Sequence, residues 1–270
     1  MQNAVSRRAF MLDLGKGTFA VAVLGLTAVA CSNDQTGSAA ATTAGRPTTS
    51  PPTTSASTTS PETTMSVTTS PPGTVGTSWE RVNLGFVSAY VLARNGEAVI
   101  VDTGVSGSES AIGASLGVLG LDWGDVGHVI VTHLHGDHQG SLPAVLNQAP
   151  QASAYAGAAD IPGISSPREL IPVGDGDQVF DLEIIATPGH TPGHISVYDR
   201  AGGLLVAGDA LNGSDGGVIG ANPDFTADIA MADDSIAKLA ALPFDTVVFG
   251  HGEPVVGGAS QQVAALSSSL

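Results

Sequence analysis

From Trp79 to the end of the chain, short apolar runs alternate with polar and glycine-rich stretches. Phe86–Ala93 and Ala98–Val101 are rich in strand-forming residues, and Arg94-Asn95-Gly96-Glu97 between them is a hairpin signal. Asp102-Thr103-Gly104 closes the second strand. Ser106 and Glu109 have capping-box spacing ahead of Ile112, Leu116 and Leu119, which share one helical face. His128–Val131 reads as a buried strand leading to His133, Leu142–Leu146 as a helix, and Gln178–Ala186 and Ile195–Tyr198 as strands. Leu204–Ala207 is another buried strand, ending at Gly208-Asp209. Ala227–Leu242 carries Ile229, Ile236 and Leu239 at helical spacing, and Asp245–Phe249 is the last strand, ending at Gly250-His251. The pattern predicts one mixed α/β domain over 79–270.

Before Trp79 the pattern is different. Residues 32–78 hold 15 Thr, nine Ser and six Pro and no aromatic residue, too little apolar surface to offset the entropy of ordering. This stretch is expected to be an extended linker, with an r.m.s. reach of roughly 35–40 Å as a flexible coil. Residues 1–31 have the layout of an export signal. Arg7-Arg8 lies in a basic start, Thr18–Ala30 is an apolar run too short to span a bilayer, and small residues precede Cys31, the only cysteine. The segment resembles a bacterial lipoprotein signal with lipid on Cys31, although Ala28 stands where such signals more often carry Leu. The arginine pair followed by Phe10 resembles a twin-arginine signal. A non-lipidated secretory signal, an uncleaved anchor and a buried thiol are the other readings.

Composition removes several classes. One cysteine excludes an intramolecular disulfide and a Cys-rich zinc module. No set of long apolar spans supports a polytopic membrane protein, and 35 glycines with 13% charged residues do not build a coiled coil. From Trp79 onward there are 22 Asp plus Glu against 5 Lys plus Arg. A domain this acidic lacks the basic footprint of a nucleic-acid binder.

The chemistry concentrates in His133-Leu134-His135-Gly136-Asp137-His138, four potential ligands in six residues on the loop after a strand. His133 and His135 can face one ion, and Asp137 and His138 a second beside it. Imidazole and carboxylate donors without thiolate suit Zn²⁺, Mn²⁺ or Fe²⁺. Three more candidates, His190, Asp209 and His251, each follow an apolar strand beside a glycine.

The ordered set H-x-H-x-D-H, T-P-G-H-T-P-G-H, G-D and G-H-G resembles the metallo-β-lactamase superfamily of metallohydrolases over essentially all of Trp79–Leu270. The resemblance implies an α/β fold, an αββα sandwich with the metals at one edge. It implies one ion on His133, His135 and His190, and a second on Asp137, His138 and His251, with Asp209 bridging. Asp102 would support a ligating histidine, and His194 would be structural or play the same supporting part. Within the family, the commonest dizinc β-lactamases carry Cys where this chain has Asp209. Thiolesterases of the glyoxalase II type append a helical domain, and only 19 residues follow His251 here. Quorum-quenching lactonases usually place a Tyr between the last two ligands, and this chain has none.

The expected function is a lipid-anchored, exported dizinc hydrolase, with Asp137 relaying a proton as metal-activated hydroxide attacks an ester, thioester or lactone carbonyl. The other readings are an iron-dependent sulfur dioxygenase of the same family and a non-catalytic envelope metal-binding lipoprotein. A small carbonyl substrate is the expected partner, and the membrane is met through Cys31. Oligomeric state stays open. Ala156–Gly174 and Leu211–Met231 are expected to overhang the metals. They contain mostly small and apolar residues, with Phe225 and Met231 as the larger groups and Arg168 as the one cation that could change that character.

Overall fold

Ser88–Arg94 is buried at every position but the last, so this strand must be covered on both faces. The computed structural model describes residues Thr77–Leu270, and it provides that cover with a second sheet on one side and helices on the other. The first sheet holds β1 (Ser78–Asn83), β2 (Ser88–Arg94), β3 (Glu97–Val101), β4 (Val126–Val131), β5 (Ser153–Gly157) and β6 (Ile171–Val173) in chain order, antiparallel up to β3 and parallel beyond it. The second runs β7 (Gln178–Val179), β8 (Leu182–Ala186), β9 (Ile195–Asp199), β10 (Leu204–Val206), then β13 (Thr246–Val248) and β14 (Val255–Val256), with only β10 and β13 parallel. Between β10 and β13 lie a separate hairpin, β11 (Leu211–Ser214) with β12 (Gly217–Gly220), and helix α4 (Ile229–Ala240). The other helices are α1 (Glu109–Val118), α2 (Gly136–Gln139), α3 (Leu142–Gln148) and α5 (Ala259–Ser267).

Strand alternation sorts the core into three layers. Ala89, Val91 and Ile100 face Ile112, Leu116, Leu142 and Val145 of α1 and α3. Their neighbours Leu92, Val99 and Ile130 face Ile184, Val197 and Val206 of the other sheet. On that sheet's outer side, Tyr198, Leu205 and Val247 meet Ile236 and Leu239 of α4 and Val263 of α5. Helix, sheet, sheet, helix is the result, the arrangement the family resemblance implies. Truncating a fully buried inter-sheet residue such as Leu92 to Ala should cost about 2–5 kcal/mol.

Several local expectations are corrected. Strand β2 starts at Ser88, because Leu84–Val87 forms a tight turn with Gly85 at φ +91°, leaving Phe86 65% exposed. Strand β1 begins at Ser78, inside the stretch expected to be linker, and Thr77 accepts a hydrogen bond from Arg94. No Ser106–Glu109 capping box forms. Ser108 occupies the cap position, and its hydroxyl donates to the Val105 carbonyl instead. Gln178–Ala186 is two strands rather than one, turned at Phe180 and Asp181, both with positive φ. Strand β14 and helix α5 follow what was expected to be the last strand. The signal, Cys31 and the linker as far as residue 76 lie outside the described residues. Among the described residues no helix is long and apolar enough to cross a membrane.

Candidate metal centre

The C-terminal ends of β3, β4, β8, β10 and β13 converge on one rim, and each is followed by a candidate residue: Asp102, His133, His190, Asp209 and His251. The α2 turn adds Asp137 and His138. Three groups bring ligand atoms within 4.8 Å of one another: His133 with His135 and His190, His133 with His138 and Asp209, and Asp137 with His138 and His251. Asp209 stands between them. Its Oδ1 is 3.3 Å from His138 Nε2, and its Oδ2 is 3.4 Å from His190 Nε2 and 3.2 Å from His251 Nε2. Asp137 Oδ2 is 3.4 Å from His251 Nε2 and 3.9 Å from His138 Nε2. The structure thus brings together all seven residues expected as ligands.

Outer hydrogen bonds orient four of the five imidazoles in the same sense. His138 Nδ1 donates to Asp102 Oδ2 at 2.8 Å, and His251 Nδ1 donates to the Phe86 carbonyl at 2.6 Å. The Thr226 hydroxyl is directed at the Asn222 carbonyl, so it accepts from His190 Nδ1 at 3.2 Å. Likewise Thr132 Oγ1 donates to Asp102 and accepts from His133 Nδ1 at 3.1 Å. Each of these rings therefore turns its Nε2 inward, the nitrogen left to bind a cation once it is deprotonated. His135 presents Nδ1 instead, 3.1 Å from His133 Nε2 and 3.0 Å from His190 Nε2.

Burial and charge act on these groups in opposite senses. Burial pushes His133 well below the usual imidazole range and His190 down to about 4. At His138 burial works the same way, but the carboxylates of Asp102, Asp209 and Asp137 outweigh it and lift the ring to about 9. Burial raises Asp209 too, yet His138, His251 and His190 hold it well below the carboxylate range. The hydrogen bond to Asp209 raises His251.

Divalent cations fit this arrangement. His138 Nε2 and Asp209 Oδ1 are buried, face each other at 3.3 Å, and have no hydrogen-bond partner among the described residues. Buried polar atoms are normally satisfied, and a cation held by both would satisfy them. The donor set is all imidazole and carboxylate, as zinc, manganese or iron accept.

Asp102 and His194 lie against the candidate ligands. Asp102, at φ +62°, also accepts the Thr132 N–H at 2.7 Å, locking the strand end beside His133. His194 lies outside the three groups. It accepts the Asp209 N–H through Nε2 at 3.0 Å, and its Nδ1–H donates to Thr187 Oγ1 at 2.8 Å. Burial lowers it to about 3, so it stays neutral and holds the Asp209 backbone in place.

One residue escaped sequence reasoning. Asp160 is fully buried, and its carboxylate accepts the Leu134 N–H, the Gly193 N–H and the Thr191 hydroxyl. It ties the loop of His133 and His135 to the loop of His190. In sequence it sits in an unremarkable Ala158-Ala159-Asp160, and only the fold shows its place.

The same rim opens into a cleft of about 1020 Å³, with His135, Asp137, His190, Asp209 and His251 on its floor. Leu211–Met231 does overhang the centre, through the β11–β12 hairpin and residues up to Phe225. Ala156–Gly174 contributes nothing to the lining, and neither does Met231. Arg168 is not a substrate cation either: its guanidinium donates to the carbonyls of Leu146, Ala149 and Pro150 at the C-terminal end of α3.

Residues 82–251 match the family model described as the metallo-beta-lactamase superfamily, and so contain the whole centre. The chain belongs to the metallo-beta-lactamase superfamily. A superfamily relative named hydroxyacylglutathione hydrolase, from Aeromonas hydrophila, is 35% identical over 125 residues, 45% of this chain and 45% of that protein. The chain spans about half the length of the curated relatives it matches. Among solved structures, a metallo-beta-lactamase family protein from Thermus thermophilus aligns with a TM-score of 0.58 at 23% identity, covering 72% of this chain and 79% of that one. Metallo-beta-lactamase SMB-1 aligns with a TM-score of 0.57 at 21% identity, covering 73% and 92%. At these identities the structural likeness establishes the fold.

Proposed function

We propose that this superfamily member is a dinuclear zinc hydrolase that cleaves an ester, thioester or lactone carbonyl bond. The observation that carries this reading is the placement of Asp209 between two clusters of inward-facing imidazoles at the floor of a cleft. His133, His135 and His190 would hold one ion, and Asp137, His138 and His251 the other, with Asp209 shared. When bound, two such ions polarise a carbonyl and lower the pKa of water toward neutrality. Asp137, half-buried with Oδ2 3.4 Å from His251 Nε2, is the carboxylate placed to take a proton at the cleft floor and pass it to the leaving oxygen or sulfur. His194 and Asp102 keep Asp209 and His138 aimed while this happens. Hydrolase names among the relatives support the reaction class.

The decisive experiment measures zinc content and hydrolysis of a panel of esters, thioesters and lactones by the wild type and by the His133→Ala, His135→Ala double variant. The expected result is two zinc ions per wild-type chain and loss of both metal and turnover in the variant. Unchanged hydrolysis by the variant overturns the mechanism. We further propose, on the sequence of residues 1–31 alone, that the enzyme is exported and held at the outer face of a bacterial membrane by lipid on Cys31.

A further inference from the structure

We infer that the substrate is uncharged around its scissile carbonyl and carries an apolar arm, which lies between Phe86 and Phe225. This rests on the hydrolase reading above and adds the chemistry of the ligand. The cleft wall includes Phe86, Ile219, Pro223 and Phe225, with Asn212, Ser214 and Asn222 as its polar side chains beyond the centre itself. Phe86, Ile219 and Phe225 are 65%, 49% and 68% exposed and all line this one cleft, where a single apolar group could cover them together.

Both aromatic walls are tied to the centre. The Phe86 carbonyl accepts from His251 Nδ1, and its ring stacks on the same imidazole at 6.2 Å with 15° between planes. Thr226, next to Phe225, accepts from His190 Nδ1. An arm between the rings is therefore held in fixed register with the floor of the site.

Charge decides the rest. No Lys or Arg lines the cleft, and its own charged groups are Asp137 and Asp209 with the histidines. All five cationic side chains of residues 77–270 are engaged elsewhere. Arg81 bonds Glu253, Arg94 bonds Asp199, Arg168 bonds three carbonyls, Arg200 bonds Glu183 and Lys238 bonds Asp175. The ions of the proposed centre would be engaged by the scissile carbonyl at the floor, so the carboxylates of a charged carrier, lying along the wall, would lose part of their hydration and meet no Lys or Arg among the described residues. The glutathione named in relatives of this chain is such a carrier. An uncharged thiol or alcohol leaving group carries no such penalty.

The test compares one acyl group on two thiols, hexanoyl-glutathione and hexanoyl-N-acetylcysteamine, with the zinc-loaded full chain. A kcat/KM at least tenfold higher for the uncharged thioester is expected. Lengthening the acyl chain from acetyl to hexanoyl on the uncharged thiol should raise kcat/KM by up to about fourfold per methylene, and Phe225→Ala or Ile219→Ala should flatten that rise. Ile219→Arg should narrow the gap between the two thiols. Equal or better turnover of the glutathione thioester overturns the inference and leaves the hydrolase reading standing. Absence of hydrolysis of either thioester and of every uncharged ester and lactone overturns both.

Discussion

Gly193 and Asp160 are joined by a 2.7 Å hydrogen bond in which a backbone N–H donates to a fully buried carboxylate. The same carboxylate takes the Leu134 N–H at 3.1 Å and the Thr191 hydroxyl at 2.5 Å. Three donors stand in for a counter-ion, and the two loops they come from carry His133, His135 and His190. Glycine is required at 193, because a Cβ there would collide with the Asp160 backbone.

Replacing Asp160 with Asn should therefore loosen the first metal cluster more than the fold. One donor would face an amide N–H₂ instead of an acceptor, costing about 1–3 kcal/mol of stability. Zinc affinity should fall about 10- to 100-fold, as when other outer partners of ligands are removed. Competition against a chelator, alongside a thermal melt, measures both. An Asp160→Asn protein with wild-type zinc affinity would sink the positioning role.

Asp102→Asn isolates the support of His138. Asn tolerates the left-handed backbone at φ +62°, so the turn itself should survive. What disappears is the negative charge that, with Asp209 and Asp137, outweighs burial and lifts His138 to about 9. In metal-free protein the His138 titration should move down, which NMR of the ring protons can follow. Below pH 9 the wild-type site must release this proton to take metal, so zinc affinity should rise with pH toward that value. A His138 titration that does not move in Asp102→Asn excludes the carboxylate as its cause.

Much of this was legible in the sequence, for reasons that differ by element. Strands β3, β4, β8 and β10 are short apolar runs buried on both faces, so their β-branched residues announce them, and the ligands follow directly at their ends. Strand β1 was hidden because Ser78-Trp79-Glu80-Arg81 is polar and only partly buried at the sheet edge. The β11–β12 hairpin is glycine-rich and gains its strand character from pairing with itself, not from side-chain propensity. Asp160 could not be distinguished from a solvated turn residue, since its three donors come from 26 to 33 positions away. Arg168, conspicuous as a lone cation, caps carbonyls at the C-terminal end of α3.

Tyr90 should set the alkaline limit of the domain. Burial is the main reason its phenol is pushed up to about 12 from about 10, and its hydroxyl donates to the Phe249 carbonyl at 2.8 Å. The folded value lies above the unfolded one, so the stabilisation is complete below pH 10 and is lost as pH rises from 10 through 12. Two units correspond to about 3 kcal/mol. Thermal melts between pH 9 and pH 12 should show this loss, and Tyr90→Phe should show less of it while starting about 1 kcal/mol lower for want of the hydrogen bond. Parallel pH profiles for the two proteins would assign the alkaline limit to another group.

Export and anchoring are separable by two variants at the start of the chain. A twin-arginine signal carries a protein that has already folded, and a centre assembled from segments as far apart as His133 and His251 can then take up metal before crossing the membrane. Arg7→Lys with Arg8→Lys should leave precursor in the cytoplasm. The lipid proposed on Cys31 would anchor at about 0.8 kcal/mol per buried CH₂, with stable attachment only from two or more chains. Cys31→Ser should accordingly release active enzyme into the medium or periplasm, with unchanged kcat for an uncharged ester, because residue 31 lies far outside the catalytic domain in sequence. Normal export of the double lysine variant rules out the twin-arginine route. A Cys31→Ser protein that still sediments with membranes after a high-salt wash rules out the lipid anchor.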